Sequence, residues 1–188
     1  HVRSRRQRQM CIRDRYILAD PHFFDAVESD GNVGRLWKNL REARHAMALH
    51  VPASRLKQAR ALVGGSNLRL ETFNLTPVEG HDWLSHMLFD MRLGMPRPRN
   101  VMIAAIMAAI GCGYRRIYLA GADHSWSRTL SVDDANRVVS IQPHFYSDDS
   151  KERDRVAAEY AGYHLHDILN SLTVAFRSYH EIRRYAEA

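Results

Sequence analysis

A chain of 188 residues with 45% hydrophobic content suits one domain with a sizeable core, and two cysteines, Cys11 and Cys112, exclude a disulfide framework and fit a reducing compartment. The formal net charge of +6 would ordinarily point to nucleic acid or an anionic surface, but residues 1–15 alone hold six Arg against one Asp. The rest of the chain carries 21 basic and 20 acidic groups, so the basic balance says little about partners, and no aromatic residues interleave with a basic patch to suggest nucleic acid.

Gln7 to Asp14 back-translates to CAGAGACAGATGTGTATAAGAGAC, which resembles a transposon-end sequencing adapter read in frame. Residues 1–14 are therefore set apart from fold reasoning as an adapter artefact, the alternative being a disordered basic tail. Residues 15–188 are read as one partial α/β domain that starts inside a strand and stops inside a helix, with both natural ends expected beyond it.

Tyr16-Ile17-Leu18-Ala19 is a short strand, closed by Asp20-Pro21 because proline biases its predecessor toward extended backbone and donates nothing to a ladder. Ser29-Asp30-Gly31-Asn32 has turn chemistry, and Val33, Leu36, Trp37, Leu40 and Ala43 follow helical spacing as far as about His45. Met47 to Val51 predicts a second strand. Ser54 is placed to cap a helix over 55–63 that stops at Gly64-Gly65, a pair lacking the Lys-Ser/Thr continuation of a phosphate loop. Leu68 to Phe73 alternates as a third strand. Gly80 to Leu93 carries Trp83, Leu84, Met87, Leu88 and Met91 at helical spacing.

A stiff connector, Met95-Pro96-Arg97-Pro98-Arg99, leads to Val101–Gly113, thirteen residues that are apolar or small throughout. Asn100 should cap this helix and Gly111 and Gly113 should end it. A helix without a polar face must be buried all round, and at roughly 20 Å this one is too short to span a bilayer. Ile117-Tyr118-Leu119-Ala120 then reads as a fourth strand ending at Gly121. Strands alternating with helices predict a doubly wound, mostly parallel sheet with flanking helices, Rossmann-like in layout. Residues from about 124 to 150 lack periodicity and begin at a strand's carboxyl end, which predicts an active-site lid. From about 151 to 188 the chain should be helical, with a break near Gly162 or Asn170 and an apolar face of Val174, Phe176, Tyr179, Ile182 and Tyr185.

In open α/β sheets ligands bind beyond the carboxyl ends of the strands. That rule selects Asp20 and Asp123, each able to accept from a sugar hydroxyl or to cap the next turn. Arg97 and Arg99 lie before a helix N-terminus as a candidate anion site or a solvated connector. Asn100 is a cap first and a ligand second. His124 and Ser125 follow Asp123 directly. His144 suits a general base, and Tyr146 suits a phosphate donor or a packed ring. Asp20, His22, Asp123, His124 and His144 also make a metal set of hard and borderline ligands, without a recognised spacing.

Asp20-Pro21-His22-Phe23-Phe24, then Asn100 with its apolar helix, then Gly113-Tyr114-Arg115-Arg116-Ile117-Tyr118-Leu119-Ala120-Gly121-Ala122-Asp123 resembles the bacterial lipooligosaccharide sialyltransferase-like glycosyltransferases and the related DUF115 proteins. That wider group includes 6-hydroxymethylpterin diphosphokinases. The likeness covers roughly 16–26 and 97–150, plus the helix ending Ser178-Tyr179. It implies a parallel α/β fold with a lid and a CMP-sugar donor. Asp20 stands where the family has a nucleotide-contacting Asn, and Arg99-Asn100-Val101 matches a segment lining the donor site. Lid tyrosines hold the phosphate and a lid histidine acts as base, roles that fall to Tyr146 and His144. Ser125 replaces one phosphate tyrosine, and the family's Gly-rich nucleotide loop lies before the chain's first residue.

The expected function is transfer of a sugar, sialic acid-like or otherwise, from a nucleotide-sugar donor to a surface glycan acceptor, without an obligatory cofactor. The alternatives are a Mg²⁺-dependent diphosphotransferase of the pterin type, with Asp20 and Asp123 holding the ion, and a non-catalytic binding domain. No nucleic-acid partner and no integral membrane segment are expected, and a homo-oligomer is left open. A cytoplasmic location, at the inner face of the membrane in one variant of the reading, goes with it.

Overall fold

The computed structural model describes residues 15–122, 124–134, 138–140 and 162–188. They fall into two compact units, His1–Arg115 with Ser178–Ala188, and Arg116–Arg177. The first unit holds three parallel strands, β1 (Arg15–Ile17), β2 (Met47–Pro52) and β3 (Leu68–Phe73), in the order β1-β2-β3. Six register pairs join β2 to β3, from Met47↔Leu68 to Pro52↔Phe73, and three join β1 to β2. All six residues of β2 are buried, as a central strand covered on both faces requires.

Alternation along the strands sends side chains into two separate cores. One gathers Leu18, Leu49 and Val51 with Phe24 of α1 (His22–Asp25), Val33, Trp37 and Leu40 of α2 (Gly31–Arg41), and Ala59 of α3 (Leu56–Leu62). The expected stripe of α2 is therefore the stripe it buries. Asp30 caps that helix, its carboxylate accepting from Asn32 N–H at 2.8 Å. Trp37 lies edge-on to Phe24 with centroids 5.5 Å apart and donates from Nε1 to the Phe23 carbonyl. The second core joins Ala19 and Phe73 to Phe89 of α4 (Asp82–Asp90), to Met95, to Ile103, Ala104 and Met107 of α5 (Val101–Gly111), and to Ile182. Ile182 belongs to α6 (Leu165–Glu187), the long C-terminal helix.

Gly94 allows the chain to return from α4 to the sheet. A Cβ there would lie 2.5 Å from Val78 Cγ2 and 2.6 Å from the Thr76 carbonyl. That close approach lets Met95 N–H donate to Thr76 O at 3.0 Å and the Met95 carbonyl accept from Val78 N–H at 2.9 Å, around an isolated parallel bridge between Pro77 and Met95.

Several sequence expectations are corrected. Ile117–Ala120 forms no strand; residues 113–120 are exposed, and Tyr118 is 86% accessible. β1 spans only three residues, so a further strand beside it would gain few ladder hydrogen bonds for ordering the segment. α5 is not buried all round, since Ile103, Ala104 and Met107 form one inward stripe while Val101 is half exposed. Of the stripe expected on α4, Trp83, Leu84, Met87 and Met91 are exposed and Leu88 is half-buried, while the helix buries Ser85 and Phe89. Ser54 does not cap α3; residues Ala53–Arg55 form a 3₁₀ turn that runs straight into it. α6 continues through Asn170 without a break, and Gly162 lies ahead of its first turn. Both sides of the α/β description are thus present as a three-strand parallel sheet with flanking helices.

The second unit contributes a 3₁₀ turn (Ser125–Thr129) and an antiparallel pair, β4 (Leu130–Val132) with β5 (Val138–Ser140). This part of the expected lid is ordered as a ladder rather than an irregular loop. Residues 135–137 and 141–161, which include the last ten residues of the expected lid, lie outside the described residues. None of the described helices is long and apolar enough to cross a membrane.

Candidate functional site

The carboxyl end of β1 and the amino end of α5 share the second core of the first unit, through Ala19, Ile103 and Ala104. Two observations fix the direction of α5. Ile103 and Ala104 in its first turn share a core with Ala19, while Tyr114 just past its last turn takes a hydrogen bond from Arg15 Nε at 3.4 Å. The helix therefore runs opposite to β1, and its amino end points to the rim where Asp20 closes the strand.

Asn100 is the N-cap of α5, as its residue type suggested. Its Oδ1 accepts from Met102 N–H at 3.0 Å and Ile103 N–H at 3.3 Å, and from the Tyr179 hydroxyl at 3.1 Å. The other end of the same carboxamide is different: Nδ2 is buried and has no hydrogen-bond partner among the described residues. A buried amide donor without an acceptor costs on the order of 1–3 kcal/mol, so its retention calls for a reason. Arg99, next to it, is exposed. With the helix's partial positive end, these groups form a donor-rich corner suited to an anion or a hydroxyl.

Asp20 Oδ1 accepts from His22 N–H at 2.8 Å and so caps the turn just ahead of the short helix α1, whose N-cap is Pro21. Its capping role is therefore present. Arg97 is not a free anion ligand; it forms a two-pronged pair with Glu79 at 2.9 and 3.0 Å. His22 does not join Asp20 as a metal ligand, because its Nε2 lies 3.2 Å from Asp30 Oδ2. His124 and Ser125 belong to the second unit. His124 has a left-handed backbone (φ 52°) ahead of the 3₁₀ turn, and its ring lies 5.9 Å from Phe176. Asp123, His144 and Tyr146 lie outside the described residues.

Sequence reasoning missed a second constellation. His50 and Glu71 are register partners on β2 and β3, and Glu71 Oε2 sits 3.4 Å from His50 Nε2. Arg15 Nη1 reaches both, at 2.9 Å to the ring nitrogen and 3.0 Å to the carboxylate. Burial pushes the His50 imidazole below its ordinary value, and the Arg15 and Arg69 guanidinium groups push the same way. Glu71 is raised by burial, yet its basic neighbours leave it below the usual carboxylate value. Beside them opens a cavity of about 310 Å³ lined by Phe73, Phe89, Met95, Met107 and Tyr185, among others. The only available signal was a His and a Glu at inward positions of two apolar strands, and it becomes visible only when the register pairs them. No family model matches this chain, and comparison with curated proteins and with solved structures also returned no match.

Proposed function

We propose that this chain is part of a glycosyltransferase-like enzyme that takes its sugar from a nucleotide donor bound at the strand-end rim. The observation carrying this reading is the buried Asn100 Nδ2 without an acceptor, beside exposed Arg99 at the amino end of α5. A donor phosphate or ribose hydroxyl supplies the acceptor that this nitrogen lacks. Asp20 takes a ribose or sugar hydroxyl. His144 removes the proton of the acceptor hydroxyl, whose oxygen attacks the anomeric carbon as the bond to the donor phosphate breaks. Tyr146 and Arg99 hold the charge left on that phosphate.

On this reading the three parallel strands belong to a doubly wound, Rossmann-like sheet, and the acceptor is a surface glycan met in the cytoplasm or at the inner membrane face. The test is nucleotide release from a panel of nucleotide sugars, with Asn100→Asp as the informative variant. That change keeps the capping oxygen and removes the amide donor. Donor KM should rise about tenfold, as loss of one hydrogen bond to a charged group implies. Unchanged KM in Asn100→Asp and Asp20→Ala would overturn the proposed donor site. Release of AMP from ATP in a magnesium-dependent reaction would replace sugar transfer with diphosphate transfer.

A further inference from the structure

We propose that His50, Glu71 and Cys112 form a site for one borderline divalent cation, with zinc the ion whose ligand preferences they match. One imidazole nitrogen, one carboxylate oxygen and the Cys112 sulfur lie within 4.8 Å of one another. They come from three separate elements: β2, β3 and the residue closing the carboxyl end of α5. Nitrogen, oxygen and sulfur ligands in one set are characteristic of zinc and exclude magnesium or calcium, which take oxygen alone. Around a tetrahedral zinc, neighbouring ligand atoms stand roughly 3.3–3.8 Å apart, so closure from the observed spread needs shifts of about 1 Å.

Glu71 faces His50 Nε2, the nitrogen that Arg15 also contacts. This pair already attracts a cation. The Arg15 guanidinium donates to both His50 and Glu71, and its side chain is 29% exposed, so it can swing away into solvent. Three protein ligands leave a fourth position for water, and Cys112 and both other ligands line the 310 Å³ cavity. When the ion binds, the Cys112 thiol releases its proton to solvent and binds as thiolate. The site lies toward the end of α5 opposite Asn100, so it is independent of the donor site proposed above.

The test uses the full chain, with zinc measured by equilibrium dialysis and cobalt(II) by absorption. One equivalent of zinc should bind, and cobalt should show a thiolate charge-transfer band in the near ultraviolet. Cys112→Ser should abolish the band, and Glu71→Gln should weaken binding at least about tenfold. Arg15→Ala should tighten it about tenfold or more, because a positive charge at hydrogen-bond distance from two ligands is removed. Cys11→Ser should change nothing, and circular dichroism verifies that each variant is folded. Absence of the band in Arg15→Ala overturns the proposal, as does a band that survives in Cys112→Ser or disappears in Cys11→Ser.

Discussion

The Tyr179 hydroxyl on α6 donates to the same Asn100 oxygen that caps α5, at 3.1 Å. One atom thus joins the start of one helix to the last turns of another, and Ser178 adds a hydrogen bond to the Arg97 carbonyl at 2.9 Å. Asn100→Ala removes the cap and strands the phenol, and should cost about 1–2 kcal/mol. Asn100→Asp keeps the capping oxygen and should cost less. Denaturant midpoints of the two variants, measured together, check the order.

Gly94 is irreplaceable on steric grounds. A methyl group there meets backbone as well as side chain, and the Thr76 carbonyl cannot rotate away without breaking its bond to Met95. Gly94→Ala should therefore destabilise by roughly 1–3 kcal/mol, the usual cost of forced overpacking. Gly31→Ala, where the added atom meets nothing within 4 Å, is the matched control by urea unfolding.

Tyr185 gives the fold an alkaline limit. Burial, reinforced by its 2.7 Å hydrogen bond to Asp90 Oδ1 and by that carboxylate's charge, pushes its phenol up to about 12 from 10.0. The native state thus prefers the neutral phenol more strongly than the unfolded chain does. The stabilisation is complete below pH 10 and is lost as pH rises from 10 to about 12. Tyr185→Phe should flatten the stability profile across that window, measured by unfolding at successive pH values.

The two faces of α4 should respond oppositely to mutation. Trp83, 70% exposed, should tolerate Gln with a stability change within about 0.5 kcal/mol. Phe89, buried and edge-on to Tyr185 at 5.2 Å, should lose roughly 3–5 kcal/mol on replacement by Ala. Thermal melts of the two variants test the assignment of faces.

These contrasts show where sequence was informative. The β2 and β3 ranges, the α2 stripe and the Asn100 cap were legible because each depends on local pattern: alternation, helical spacing, or one side chain reaching its own backbone. Ile117–Ala120 misled because a strand needs a partner, and apolar content cannot report whether a partner is present. α4 misled for a related reason: spacing identifies a helix and an apolar stripe but not which surface the sheet will cover. In the candidate site, Asn100 and Asp20 announced themselves by capping chemistry. The orphaned Nδ2 and the His50–Glu71 pairing arise only from packing and register.

The unequal ladders of the sheet carry a consequence for local opening. With six register pairs between β2 and β3 but three between β1 and β2, the strands should part in a fixed order. Amide hydrogen exchange should be slowest through Ala48–Val51 and Leu70–Phe73 and faster at Tyr16 and Ile17. The chain would then pass through a form in which β1 and its Arg15 have let go while the longer ladder still holds.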